Sequence, residues 1–317
     1  MHPPHVEVVL FTYNHEPFIA RALASVLEQQ AQFPISIRIH DDASTDDTVG
    51  VIRRVLAESA MPWSLTRAPE NRYTKGIAYV PEFIAESTAD FVAILDGDDF
   101  WTSTEKLQRQ IDLLSLHPNA ALCHHPTFTY QSGSLTEIAW PPAATRAAIL
   151  PGSMLAEQNV VSTSSVVLRP TMFPQRFPAG FDRLRIGDYP MWALTSADRE
   201  IAFVDEPMSA YRVHESNIWA TLHPDDQFDR ELEARIYISD NVPDDQRVQW
   251  RSGIIGLVKY RYEAEMQQKL QQLHAELTTL AAALDGSHAE NRRLTASASW
   301  RVTRPLRWLR GRLPHRA

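Results

Sequence analysis

Cysteine occurs once in the 317 residues, at Cys123. A lone thiol closes no intramolecular disulfide, and this scarcity suits a reducing compartment. Cys123 ends the apolar run Ala120-Ala121-Leu122-Cys123, where a buried, inert thiol is expected. Positive charge is also in deficit, with 31 Lys and Arg against 39 Asp and Glu and a formal charge of −8. Phosphate neutralisation needs a basic face, so no nucleic-acid partner is expected. No uncharged run reaches the ~20 residues of a membrane helix. The apolar stretch Val6-Glu7-Val8-Val9-Leu10-Phe11 is too short for a signal h-region and follows no basic n-region. These absences lead us to expect a cytoplasmic protein. What is plentiful is core material: 44% of residues are hydrophobic and eight are tryptophan, so global disorder is excluded.

The first 125 residues alternate strand and helix signals. Val8 to Phe11 is a short apolar run that ends in Thr12-Tyr13-Asn14-His15. Phe18, Ile19, Ala22, Leu23, Val26 and Leu27 then follow helical spacing. Ile35, Ile37 and Ile39 alternate as in a strand, which breaks into Asp41-Asp42-Ala43-Ser44-Thr45-Asp46. Val51, Ile52, Val55 and Leu56 mark the next helix. Phe91-Val92-Ala93-Ile94-Leu95 is a buried-type strand ending at Asp96-Gly97-Asp98-Asp99, and Leu107, Ile111 and Leu114 resume a helix. The repeated β-α-β pattern predicts an α/β fold, a parallel sheet covered by helices, with ligands outside the strands' carboxyl ends. All three polar clusters fall at strand ends. Residues 126–225 are richer in proline and aromatics and read as loops and short elements completing a pocket.

Asp96, Asp98 and Asp99 constrain function most. Three carboxylates within four positions repel one another unless a cation or solvent compensates. A hard divalent ion, Mg²⁺ or Mn²⁺, resolves that repulsion and can bridge to a diphosphate. An acidic turn capping the next helix is the bland alternative. An EF-hand is excluded, because Phe100 and Trp101 stand where an oxygen ligand and a glycine are needed. The turn after the first strand has no glycine, so it suits nucleoside recognition better than phosphate wrapping.

The motifs in order resemble family-2 glycosyltransferases. They are Val9-Leu10-Phe11-Thr12-Tyr13-Asn14, Asp41-Asp42-Ala43-Ser44-Thr45-Asp46, Leu95-Asp96-Gly97-Asp98-Asp99, Ile186-Gly187-Asp188-Tyr189-Pro190 and Tyr211-Arg212-Val213-His214. Each is weak alone, but five in this order over residues 5–220 are specific. The resemblance implies the GT-A fold, a Rossmann-like, mostly parallel sheet flanked by helices. It implies an inverting, metal-dependent transferase acting on a nucleotide-sugar donor, UDP-linked by preference, and on a glycan or lipid-linked acceptor. Thr12, Tyr13, Asn14, Asp41 and Asp42 would line the base and ribose pocket, and Arg72 and Lys75 could contact the donor. Asp96 would meet ribose or sugar. Asp98 and Asp99 would hold Mn²⁺ or Mg²⁺ with His214 completing the shell, and Asp98 would also face the donor. Asp188 is the implied general base, since inversion needs one carboxylate to take the acceptor proton. Trp101 and Trp219 are sugar-stacking candidates, with aromatic packing as the default.

Boundaries are expected at 1–225 for the catalytic domain, 226–262 for a helical extension, 263–298 for a heptad-bearing helix and 299–317 for a basic amphipathic tail. Met266, Leu270, Leu273, Leu277, Leu280 and Leu284 recur at alternating spacings of four and three. That seam reads either as a coiled-coil homodimer or as a helix packed on its own domain. From Arg301 to Ala317 there are six arginines and no acid, interleaved with Trp308 and Leu309, which suits peripheral contact with an anionic membrane. Two competing functions stay open: a non-catalytic glycan-binding or membrane-docked scaffold of the same fold, and a metal-dependent phosphohydrolase or nucleotidyltransferase.

Overall fold

The computed structural model of the chain describes residues 3–75, 79–137, 146–215 and 217–304. The basic tail from Pro305 onward, with its expected membrane contact, lies outside the described residues.

Four strands form a parallel ladder: β1 (Val6–Thr12), β2 (Ile35–Asp41), β3 (Trp63–Arg67) and β4 (Phe91–Asp96), in the order β3-β2-β1-β4. The crossovers carry α1 (Ile19–Leu27), α2 (Thr48–Leu56) and α3 (Val80–Ala85). Val8–Phe11 of β1 and Phe91–Leu95 of β4 read as unbroken apolar runs because helices cover both faces of the sheet. One core packs Ile19, Leu23 and Val26 of α1 with Leu107, Ile111 and Leu114 of α4 (Lys106–Leu116) on one side. The other gathers Val9, Val92 and Ile94 with Trp192, Ile238 and Trp250. Cys123 is buried, which pushes its thiol up to about 12.

Parallel register decides where the polar motifs meet. Thr12 stands opposite Asp41 and Phe11 opposite Asp96, so three motifs spread along the chain arrive together at the carboxyl-end edge of the sheet, where the strands finish.

Residues 126–225 are more regular than their sequence suggests. β6 (Ala120–His124), β9 (Ile149–Pro151), β10 (Val167–Leu168) and β11 (Glu200–Phe203) extend the main sheet in the order β4-β10-β6-β11-β9. β10 runs antiparallel to both its neighbours, whereas β11 is parallel to β6. A second sheet, β5-β12-β7-β8, joins β5 (Phe100–Trp101), β7 (Thr127–Gln131), β8 (Ser134–Glu137) and β12 (Ser209–Arg212). Strands of two or three residues carry no readable period, because their existence depends on a partner distant in sequence.

Then come α5 (Asp188–Ser196), α6 (Ile218–Thr221), α7 (Pro224–Asn241), α8 (Arg247–Ala296) and α9 (Ala298–Val302). The chain divides into two compact units, residues 1–256 and 257–317. Within the first, the Arg235 guanidinium donates to the carbonyls of Ala156, Glu157 and Gly253. Gly253 permits this close approach: a Cβ there would sit 1.8 Å from the Ala156 carbonyl oxygen. Within the second, the stripe Met266 to Leu284 faces solvent. No helix among the described residues is long and apolar enough to cross a membrane.

Candidate active site

A cavity of about 1260 Å³ is lined by Asp96 and Asp99 at the end of β4, by Asp188 opening α5, and by Tyr73, Thr74, Lys75 and Tyr79 after β3. Ser162, Thr163, Tyr211, Trp219 and Arg230 complete its walls.

The acidic floor is crowded and short of counter-charge. Burial, then repulsion from Asp98 and Asp188, raises Asp96 well above the ordinary carboxylate range. Asp99 is likewise raised well above that range, by burial and by its neighbours Asp98 and Asp96, although its Oδ1 accepts the Arg212 backbone N–H at 2.9 Å. Asp98 behaves oppositely. Burial alone would raise it, but a hydrogen bond with His214 and the nearby His15 hold it below its usual value. His214 Nε2 lies 3.1 Å and His15 Nε2 3.6 Å from the same Asp98 oxygen. Phe18 stacks on the His214 ring at 4.6 Å and stands edge-on to His15. Gly97 keeps the corner open, since a Cβ there would come within 2.8 Å of Thr12 Oγ1 and 2.9 Å of His15 Nδ1. Both of those buried atoms lack a hydrogen-bond partner among the described residues.

This donor set fits a hard divalent ion. Carboxylate oxygens suit Mn²⁺ or Mg²⁺, and the imidazole nitrogen is a softer donor that favours the transition ion Mn²⁺ over Mg²⁺. Among the described residues no group of three or more His, Cys, Asp or Glu side chains is arranged to hold a metal ion by itself. Such ions commonly take one or two protein carboxylates and complete their shell with substrate phosphates, so an open set is what they need.

Asp188 faces the same cavity from another element. Burial raises its carboxyl, opposed by the Tyr189 backbone N–H at 2.8 Å and the Thr163 hydroxyl at 3.4 Å. Gly187 occupies the cap, so Asp188 is the first residue of the helix itself. A carboxylate there gains from the helix dipole while one flank stays open to the cavity.

The remaining candidates sit around the nucleotide side of the edge. Asn14, at φ 54°, accepts the Thr45 N–H and so ties the first turn to the second. Asp41 is wholly buried, accepting from Ser44 N and Oγ and pairing with Arg67. Asp42 accepts the backbone N–H groups of Arg72 and Tyr73, which folds the 71–75 loop against the edge. Arg72 pairs with Glu82 and lies over Tyr79, while Lys75 pairs with Glu70 on the cavity wall. Thr12 is buried behind Gly97, and Tyr13 is exposed. Trp219 reaches the cavity. Trp101 does not: it is buried, its indole N–H donating to the Ser164 carbonyl, so of its two readings packing is the one realised.

Sequence reasoning passed over His15, Tyr79 and Arg230. His15 stands in a quoted turn, but nothing in one sequence says its ring meets Asp98 across the strand end. Tyr79 stacks on His40, and only the fold brings that pair beside Phe11.

Comparison with known proteins follows the same line. Residues 7–177 match Glycosyl transferase family 2. An uncharacterized protein of Mycobacterium bovis is 30% identical over 222 residues, 69% of this chain and 62% of its own length. The chain thus matches less than two thirds of that relative. An Escherichia coli relative named UDP-Glc:alpha-D-GlcNAc-diphosphoundecaprenol beta-1,3-glucosyltransferase is 30% identical over 110 residues, covering 34% of this chain and 41% of its own. A solved mannosyltransferase from Pyrobaculum calidifontis, in complex with GDP-Man and Mn²⁺, aligns with TM-score 0.58 and 16% identity. It covers 95% of this chain and 83% of its own. At that identity the likeness establishes the fold, which is the mostly parallel GT-A arrangement described above. With the family match spanning more than half its length, the chain belongs to glycosyl transferase family 2.

Proposed function

We infer that the protein transfers a sugar from a nucleotide-sugar donor to an acceptor hydroxyl with inversion, Asp188 acting as general base. The observation that carries this is the meeting of Asp96, Asp99 and Asp188, from two elements about 90 residues apart, in one cavity. A solvated acidic turn would not face a second buried carboxylate across a cavity.

Asp98 and His214, whose Oδ2 and Nε2 lie 3.1 Å apart, are the pair that would hold the ion, together with Asp99. When bound, a divalent ion supplies Lewis-acid stabilisation of the departing diphosphate. Asp96 is left to meet the ribose or the sugar. Asp188 holds Oδ1 on the Tyr189 N–H and Oδ2 more loosely on the Thr163 hydroxyl, so a remaining lone pair of Oδ2 is placed to take the acceptor proton as the new bond forms. On the nucleotide side, Asp41, Asp42 and Asn14 hold the pocket's shape, and Tyr73, Lys75 and Tyr79 supply its wall. A UDP-sugar is the favoured donor. The specificity in the name of the Escherichia coli relative supports UDP and a lipid-diphosphate-linked acceptor, and the mannosyltransferase complex supports Mn²⁺.

Calorimetric titration of UDP with and without Mn²⁺, on wild type and Asp98→Ala, tests the donor site. Metal-dependent binding lost in Asp98→Ala is expected. No binding of UDP, GDP or dTDP under any condition sinks the reading and favours a non-catalytic scaffold. Turnover that releases phosphate or pyrophosphate, rather than intact nucleoside diphosphate, favours the hydrolase or nucleotidyltransferase.

A further inference from the structure

α8 carries an apolar stripe that no described residue of its own unit covers. Met266, Leu270, Leu273, Leu277, Leu280 and Leu284 are each between 41% and 66% exposed, and Leu294 is 52% exposed. Seven such side chains expose on the order of 600 Å², the upper end of the largest patch on a typical soluble monomer. With the flanking residues, this approaches the scale of a standard interface, about 800 Å² per partner.

The spacing assigns heptad positions without ambiguity. Leu270, Leu277 and Leu284 take a; Met266, Leu273, Leu280 and Leu294 take d. Continuing the same register puts Ser287 at d and Asn291 at a. A single asparagine at an a position is a register and oligomer-state device in two-stranded coiled coils, because its amide needs an identical amide opposite it.

We propose that the Met266–Leu294 seam pairs with the same seam of a second copy as a parallel, two-stranded coiled coil. Orientation follows from a comparison of two effects. In a parallel pair Asn291 meets Asn291, and each amide finds a partner. An antiparallel pair centred on the seam sets Asn291 against Leu273 or Met266, leaving its amide buried and unpaired. The antiparallel pair would bring Lys269 near Glu290, but an exposed ion pair gains less than an unpaired buried amide costs. In the parallel arrangement the g–e′ contacts are Lys269–His274, Glu276–Ala281, Ala283–His288 and Glu290–Thr295. None sets two acids or two Lys/Arg cations against each other.

Sedimentation equilibrium of the full chain tests the state, and a mass near twice 36.0 kDa is expected. Leu277→Lys with Leu284→Lys is expected to give a monomer with unchanged circular dichroism and unchanged calorimetric response to UDP. Both positions face solvent, so the substitution spares the fold of the catalytic unit. Leu294→Cys reports orientation: oxidation should link two copies, because d meets d in the parallel pair. In the antiparallel pair residue 294 would lie opposite Leu270. A monomeric wild type at tens of micromolar, a trimer or larger, a dimer surviving the double lysine variant, or no Leu294→Cys cross-link each overturns the proposal. So does a monomer whose seam binds anionic vesicles and loses that binding in the lysine variant.

Discussion

Asp188 carries the sharpest prediction at the scale of single residues. Asp188→Asn keeps the Tyr189 N–H contact through its side-chain oxygen but cannot accept the acceptor proton. It should lower kcat by roughly 10²–10⁴ while leaving UDP affinity unchanged in calorimetry. Retained turnover would remove Asp188 from the mechanism. Because burial raises its carboxyl, the acid limb of the rate profile should fall above the ordinary carboxylate range near pH 4. A limb at or below that range argues for another base. Lys106 offers a stability test at the same scale. It is fully buried, donates to Gln110 Oε1 at 2.8 Å, lies over the Trp101 ring at 4.3 Å, and is pushed down to about 7 by desolvation. Between pH 7 and the unfolded-chain value near 10.4, the unfolded chain holds a proton that the folded protein has released. Stability from this site therefore rises with pH across that window. Urea unfolding of Lys106→Met should lack this rise relative to wild type, and parallel profiles would mean that Lys106 stays charged inside.

At the scale of elements, two glycines in α8 separate packing from propensity. A Cβ at Gly253 would meet the Ala156 carbonyl oxygen at 1.8 Å and crowd Arg235 Nη1 at 3.2 Å. Gly253→Ala must part α8 from the 152–156 turn and should destabilise by about 1–3 kcal/mol. Gly256 meets nothing within 4 Å, so Gly256→Ala should stabilise by about 0.5–1 kcal/mol through helix propensity alone. Equal effects in urea unfolding would show that the α8 contact contributes little. The element that matters most to the site is β12. By pairing with β5, it carries Arg212 against Asp99 and leads directly to His214 beside Asp98.

For the whole molecule, ligand linkage is the natural readout. UDP with Mn²⁺ at about 100 times its Kd should stabilise the native state by about 2.7 kcal/mol. That corresponds to a rise in melting temperature of several degrees, lost on chelation of the metal or in Asp98→Ala. A rise that survives chelation would mean that the nucleotide binds without the ion.

Much of the catalytic unit was legible in the residues themselves. The apolar runs at Val8–Phe11 and Phe91–Leu95, the alternation at Ile35–Ile39 and the helical spacing at Leu107–Leu114 are local signals, and β1, β2, β4 and α4 follow them. Side-chain period and burial on both faces determine such elements without knowledge of partners. The acidic motif stood out as a candidate for a similar reason, three carboxylates beside a strand end, whereas Asp188 was singled out through the motif resemblance; the roles of both are proposals. What only the tertiary structure decided was adjacency. Parallel register brought Thr12, Asp41 and Asp96 to one edge, and two-residue strands with no period of their own closed the sheet. The long return through β12 set His214, and the turn after β1 set His15, beside one oxygen of Asp98. Contacts between residues some 80 to 115 positions apart leave no trace in local pattern, because their stabilisation arises only after the intervening chain has folded.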